Sequence, residues 1–171
     1  MGVITSYLRG SNDPDPVTGL TPKEKALVVS SWNLVKKDLT ANGVELFKLF
    51  FKHKPEYQNY FPFRGVPMDE LTHDPKLKAH AISVMYALSS IIDNLDNSDV
   101  LVNLLQKTGE SHRRRKIPEE SFNVLHKTVL ELLQKGLGPK LSKEGLDAWD
   151  KTLTVALKVV KDTLRTVESS D

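Results

Sequence analysis

Two of the five histidines in this 171-residue chain sit where an imidazole could do chemistry. His80 lies in KLKAHAISVMYALSSIIDNL (76–95), with Val84 one turn on and Ala87 and Leu88 beyond it. At helical spacing its ring shares a face with apolar side chains. His112 stands in GESHRRRKIP (109–118), at the end of a helical run and directly before three arginines and a lysine. A lone histidine is ordinarily a surface residue or a satisfied polar group of the core. A pair on consecutive helices, one on an apolar face and one at a helix end, could instead face each other across a slot. Neutral imidazole is the commonest protein ligand for a metal. A closed zinc site needs four protein ligands, and here there is no cysteine and no carboxylate cluster nearby to complete one. A metal that brings its own equatorial ligands needs only one or two axial histidines, and haem is such a centre.

The elements that must carry these side chains read as helices throughout. Residues 10–19, GSNDPDPVTG, are rich in turn formers and predict a flexible linker. Ordered structure is expected from TPKE (21–24): Thr21 as N-cap, Pro22 in the first turn and Glu24 completing a capping box. Ala26, Leu27, Val29, Trp32 and Val35 follow at helical spacing. GVELFKLFFKH (43–53) stops near Pro55. Asp74-Pro75 pairs an N-cap with an N1 proline and opens the helix of His80. Ser98 starts the helix of His112, Pro118 starts one closed by Gly136, and Ser142 precedes a long last one. No segment shows sustained strand alternation. The expected fold is all-α, with about seven or eight helices and an irregular stretch at 56–74.

Composition excludes several functions. Hydrophobic residues make up 39% and charged residues 27%, ordinary for a globular domain. Lys and Arg number 24 against 22 Asp and Glu, so the arginine run is a local feature and no nucleic-acid partner is expected. RRRK is a weak match to a nuclear address. Without cysteine there is no disulfide, thiolate metal site or cysteine nucleophile, which fits a reducing compartment. No run approaches the roughly 18 apolar residues of a membrane span. MGVITSYLRG lacks the pattern of a secretory signal, so a cytoplasmic location is expected.

Five stretches, SSWNLVKK (30–37), NYFPFRG (59–65), KLKAHAISV (76–84), GESHRRRKIP (109–118) and AWDKTL (148–153), resemble a globin in order and spacing. FPFRGVPMDEL (61–71) looks most like the arthropod intracellular globins. The resemblance covers about residues 21–168, which divides the chain into an N-terminal extension, 1–20, and a globin domain, 21–171. It implies the globin fold, with helices packed three-on-three around haem b (iron protoporphyrin IX). It also implies roles. His112 matches the proximal ligand of the iron and His80 the distal histidine, with Val84 along the same wall. Phe61 matches the phenylalanine against the porphyrin face, and Phe47 falls over the sixth coordination site. Phe122 and Leu125 line the haem from the next helix, and Ile117 touches it from the corner. Haem is an apolar disc with two carboxylates on one edge, so the arginines are expected at its rim by charge-assisted pairing. Arg115 is the first candidate there and Arg64 the second. Arg113 and Arg114 read as solvated surface. The family pattern most often has one more residue between the histidine and the Ile-Pro pair, which leaves the choice of rim cation open.

The function so implied is reversible binding of dioxygen and other diatomic gases, for storage, transport or sensing. An N–H at His80 would stabilise bound dioxygen, and Phe47 would exclude water. His80 as a sixth ligand in the gas-free state is a competing arrangement. A different function at the same haem is redox chemistry, nitric oxide dioxygenation or nitrite reduction. It requires an external reductase, because the chain carries no flavin or nicotinamide fingerprint. A haem-free helical interaction module is the third reading. His53 and His73 are expected at the surface, His126 on an interior helix, and Trp32 and Trp149 in the core. Residues 1–6, MGVITS, match the N-myristoylation pattern M-G-x-x-x-[ST]. One lipid on Gly2, with no cysteine to palmitoylate and only Arg9 nearby, implies weak and reversible membrane association. The alternative is a disordered tail.

Overall fold

The structure is a computed structural model and describes residues 12–166. Seven α-helices carry it: α1 Pro22–Val35, α2 Leu39–His53, α3 Met68–Leu71, α4 Pro75–Asp93, α5 Ser98–Arg114, α6 Glu120–Leu137 and α7 Lys143–Arg165. No strand occurs among the described residues.

Helix starts follow local chemistry. The Thr21 hydroxyl accepts from the Glu24 N–H at 3.2 Å, and the Glu24 carboxylate accepts from the Thr21 N–H at 2.7 Å, the capping box read from TPKE. The Asp74 carboxylate accepts from the N–H groups of Lys76 and Leu77 at 2.7 and 3.1 Å, with Pro75 in the position that needs no N–H. Asp38 caps α2 and Ser142 caps α7 in the same way. The C-terminus of α6 differs from expectation. The helix runs through Gly136 and stops where Gly138 takes φ +49°. A mid-helix glycine costs only about 1 kcal/mol, so Gly136 does not end the helix, whereas a positive φ that glycine alone adopts easily does.

The segment before α1 also differs. From Asp15 on, the stretch expected as a flexible linker over 10–19 is an ordered turn. The Asp15 carboxylate accepts from the N–H groups of Val17 and Thr18, each at 2.9 Å, and the Asp15 N–H donates to Leu20 O at 2.9 Å. Lys25 ties the turn to the α4–α5 loop, 3.0 Å from both Asp15 and Asp96. Leu20 is fully buried. The Thr18 N–H, and then the Lys25 ammonium, lower the Asp15 carboxyl to about 2.

The helices form two layers, α1, α4 and α5 over α2, α6 and α7. Contacts of α5 with α7, α2 with α4, and α1 with α7 and α6 cross between the layers. Between Tyr57 and Asp74 the chain is irregular, with a 3₁₀ turn at Pro55–Tyr60 and only the short α3. One apolar cluster centres on Trp32 and Trp149, each 1% exposed, with rings 5.6 Å apart. Their indole N–H groups donate to Ser89 and Ser31 at 3.0 and 2.8 Å, so the burial leaves no unmet donor. A second cluster is aromatic: Phe47, Phe50, Phe51, Tyr57 and Phe63 meet beside α4. No helix among the described residues is long and apolar enough to cross a membrane.

Candidate functional site

The two layers leave a cavity of about 250 Å³ between them. α2 supplies Leu46, Phe47 and Phe50, and the irregular stretch supplies Tyr57, Tyr60 and Phe61. α4 supplies His80, Val84, Leu88 and Ile91, and α5 supplies Leu105, Thr108 and His112. Arg115 and Ile117 come from the corner after α5, Phe122 and Leu125 from α6, and Trp149, Leu153, Ala156 and Val160 from α7. The wall is aliphatic and aromatic, with two imidazoles and one guanidinium among its polar groups.

His112 is held through one ring nitrogen. Its Nδ1 lies 2.8 Å from the Thr108 carbonyl oxygen, one turn back. A carbonyl only accepts, so Nδ1 carries the proton and Nε2 keeps a bare lone pair. The ring meets Phe122 edge-on at 5.2 Å. The backbone just beyond closes a Schellman turn. Ile117 N–H donates to His112 O at 3.2 Å and Lys116 N–H to Arg113 O at 2.8 Å, with Lys116 at φ +55°. The four-residue corner is thus a tight cap that seats Ile117 against the helix end.

His80 faces the cavity from α4, its ring 5.1 Å from Phe47 and 5.0 Å from Phe61, both edge-on. Burial lowers the pKa of both histidines. The charges of His112 and Arg115 lower His80 further; for His112 the Thr108 hydrogen bond partly offsets burial and Arg115 adds a small lowering. Both imidazoles are therefore neutral at neutral pH, the form that ligates metal or donates a single N–H.

The sequence-derived residues divide clearly. Phe47, Phe61, His80, Val84, His112, Arg115, Ile117, Phe122 and Leu125 all line the cavity. Arg64 does not. The Phe61–Arg64 turn, closed by Arg64 N–H to Phe61 O at 3.1 Å, leaves it solvent-exposed and outside the cavity lining. Arg115 folds back, its guanidinium donating to the carbonyl and hydroxyl of Ser111. Arg113 donates to Thr166 O at 2.7 Å. His53 is exposed beside Glu131, His73 is exposed, and half-buried His126 bonds Asp150. The α7 wall carries no site signal of its own in the sequence. Its positions Trp149, Leu153, Ala156 and Val160 do recur at helical spacing, but a cavity wall and a core face give the same pattern.

Among the described residues no three His, Cys, Asp or Glu side chains converge to hold a bare metal ion. An imidazole lone pair, a second neutral imidazole, an apolar slot and an edge cation do suit an iron that arrives in its own macrocycle. Fold and site together define an all-α protein with an apolar cavity that suits a haem. The globin family model matches residues 44–160. A globin of Nerita albicilla is 33% identical over 149 residues, 86% of this chain and 95% of that protein. An anaerobic nitrite reductase of Arabidopsis thaliana is 30% identical over 155 residues, 88% of this chain and 98% of that one. A hexacoordinated haem protein from an anhydrobiotic tardigrade superposes with a TM-score of 0.83 at 22% identity, covering 89% of this chain and 99% of that one. The chain belongs to the globin family, and with it to the haem-binding proteins of oxygen chemistry.

Proposed function

We propose that this globin binds dioxygen and other diatomic gases reversibly at a haem b held by His112, with His80 over the ligand side. The observation that carries this reading is the 2.8 Å contact between His112 Nδ1 and Thr108 O, which frees Nε2 on the wall of an apolar cavity. Haem, when bound, supplies an iron with a position open to a gas. The chain does the rest. His112 orients and holds through Nε2. His80 stays neutral through burial and offers one N–H to a polar ligand or its lone pair to the metal. Phe47 and Phe61 fix the His80 ring and keep water out. Arg115, on the cavity lining, is the proposed partner of a propionate, which it would reach by leaving Ser111.

Optical titration of the reduced, haem-loaded protein with dioxygen tests this reading. Reversible, saturable spectral change supports it; absence of change, or irreversible oxidation alone, contradicts it. The gas-free reduced spectrum also reports on His80, since sharp split visible bands mean two histidine ligands and one broad band an open site.

A second reading is nitrite reduction fed by an external reductase, favoured by the Arabidopsis relative. Nitrite turnover that appears only when a reductase is supplied supports it. The Gly2 acylation motif lies outside the described residues. It implies weak membrane association of a cytoplasmic protein, and the mass of native material reports it.

A further inference from the structure

Gly109 stands one turn before His112 on α5, and it faces α7 rather than the cavity. A Cβ built on it would lie 2.6 Å from Thr163 Cβ, 2.9 Å from Thr163 Cγ2 and 2.9 Å from the Val160 carbonyl oxygen. Ordinary carbon contacts are about 3.5–4.0 Å, so any side chain here forces α5 off α7 by on the order of 1 Å. The carbonyl belongs to the α7 backbone and cannot rotate away. Both flanks of this contact bear on the cavity. Thr108, which fixes the His112 tautomer, precedes Gly109, and Val160 lines the cavity wall. Beyond His112, Arg113 ties the end of α5 to Thr166 O at 2.7 Å, and Arg165 bonds Glu119 across the corner.

We propose that Gly109 is a positioning residue whose missing side chain seats α5 on α7 and thereby sets how far the His112 imidazole reaches into the cavity. The proposal rests on His112 as the iron ligand. One helical turn between Gly109 and His112 transmits the displacement nearly rigidly, because the intervening backbone bonds are intact. The imidazole, not the gas, is the group that moves.

The test is the iron–imidazole stretching band of the full-length haem protein, read by resonance Raman just after photolysis of its carbon monoxide complex. Gly109→Ala shifts this band. In His112→Gly supplied with free imidazole the ring is no longer attached to α5, and there Gly109→Ala leaves the band in place. An unshifted band with His112 present overturns the proposal, as does an equal shift in the imidazole-supplied background. Should Gly109→Ala not fold, Gly109→Ala/Thr163→Gly carries the test, because it removes both Thr163 contacts and leaves the added Cβ against the Val160 carbonyl alone. Its band is still displaced from that of Thr163→Gly, and an identical band in the two overturns the proposal. Failure of the underlying haem reading looks different: His112→Gly alone would then leave the Soret band unchanged.

Discussion

The carbonyl oxygen of Thr108 lies 2.8 Å from Nδ1 of His112, so a backbone group sets the tautomer of the one imidazole at the end of α5. No side-chain substitution at position 108 removes that acceptor. The chemistry of Nε2 is written into the helix itself, and the remaining polar decision of the site falls to His80.

His80→Leu keeps the apolar packing against Phe47 and Phe61 and removes the N–H. A lost hydrogen bond worth about 1–2 kcal/mol predicts dioxygen dissociation roughly 5- to 30-fold faster. Carbon monoxide, being less polar, dissociates at a nearly unchanged rate. Stopped-flow displacement measures both, and an equal effect on the two gases argues against hydrogen bonding.

Phe47 touches the His80 ring and brings no donor. Phe47→Ala is expected to admit water and speed autoxidation, at a stability cost of about 3–5 kcal/mol for a buried aromatic. Following the decay of the oxygenated spectrum in air is sufficient. Unchanged decay in folded protein removes the water-excluding role.

Lys116 holds φ +55°, a left-handed conformation that a Cβ makes costly. Lys116→Gly removes that cost, offset by glycine's larger chain entropy, and should stabilise the protein by about 0.5–1 kcal/mol. Urea unfolding at neutral pH measures the gain. A loss would mean that the lysine side chain makes a stabilising contact of its own.

How much of this was legible depends on how local each signal is. Thr21 with Glu24, Asp74 with Pro75, and Ser142 act on N–H groups within three residues, and sequence alone specifies them. That His80 and His112 share one cavity was legible from their setting and from the family pattern around them. Gly136 and Gly138 differ only in backbone conformation, which composition does not reveal. The Asp15 turn read as a linker because its turn formers are local, while the burial of Leu20 and the reach of Lys25 are tertiary. Arg64 and Arg115 are alike as cations, and only the chain path decides that Arg115 lines the cavity and Arg64 does not. Gly109 carried no sequence signal, since its partner Thr163 lies on another helix.

The same turn gives a pH prediction. The folded state lowers the Asp15 carboxyl to about 2, below its unfolded value near 3.9. The unfolded chain therefore binds more protons between these values, and the stabilisation is present above about pH 4 and lost as pH falls toward 2. Asp15→Asn should cost about 1–2 kcal/mol at pH 7, from weakened charge-assisted bonds, and progressively less in acid. Thermal melts across pH 3 to 7 test this, and a difference that does not shrink in acid would contradict it.

The most direct measurement is the Soret and visible spectrum of His112→Gly after haem loading and reduction, taken with and without free imidazole. The account predicts loss of the parent spectrum in the variant and its return when imidazole fills the gap. A variant that holds haem as firmly as the parent, with the same spectrum and no response to imidazole, would contradict it.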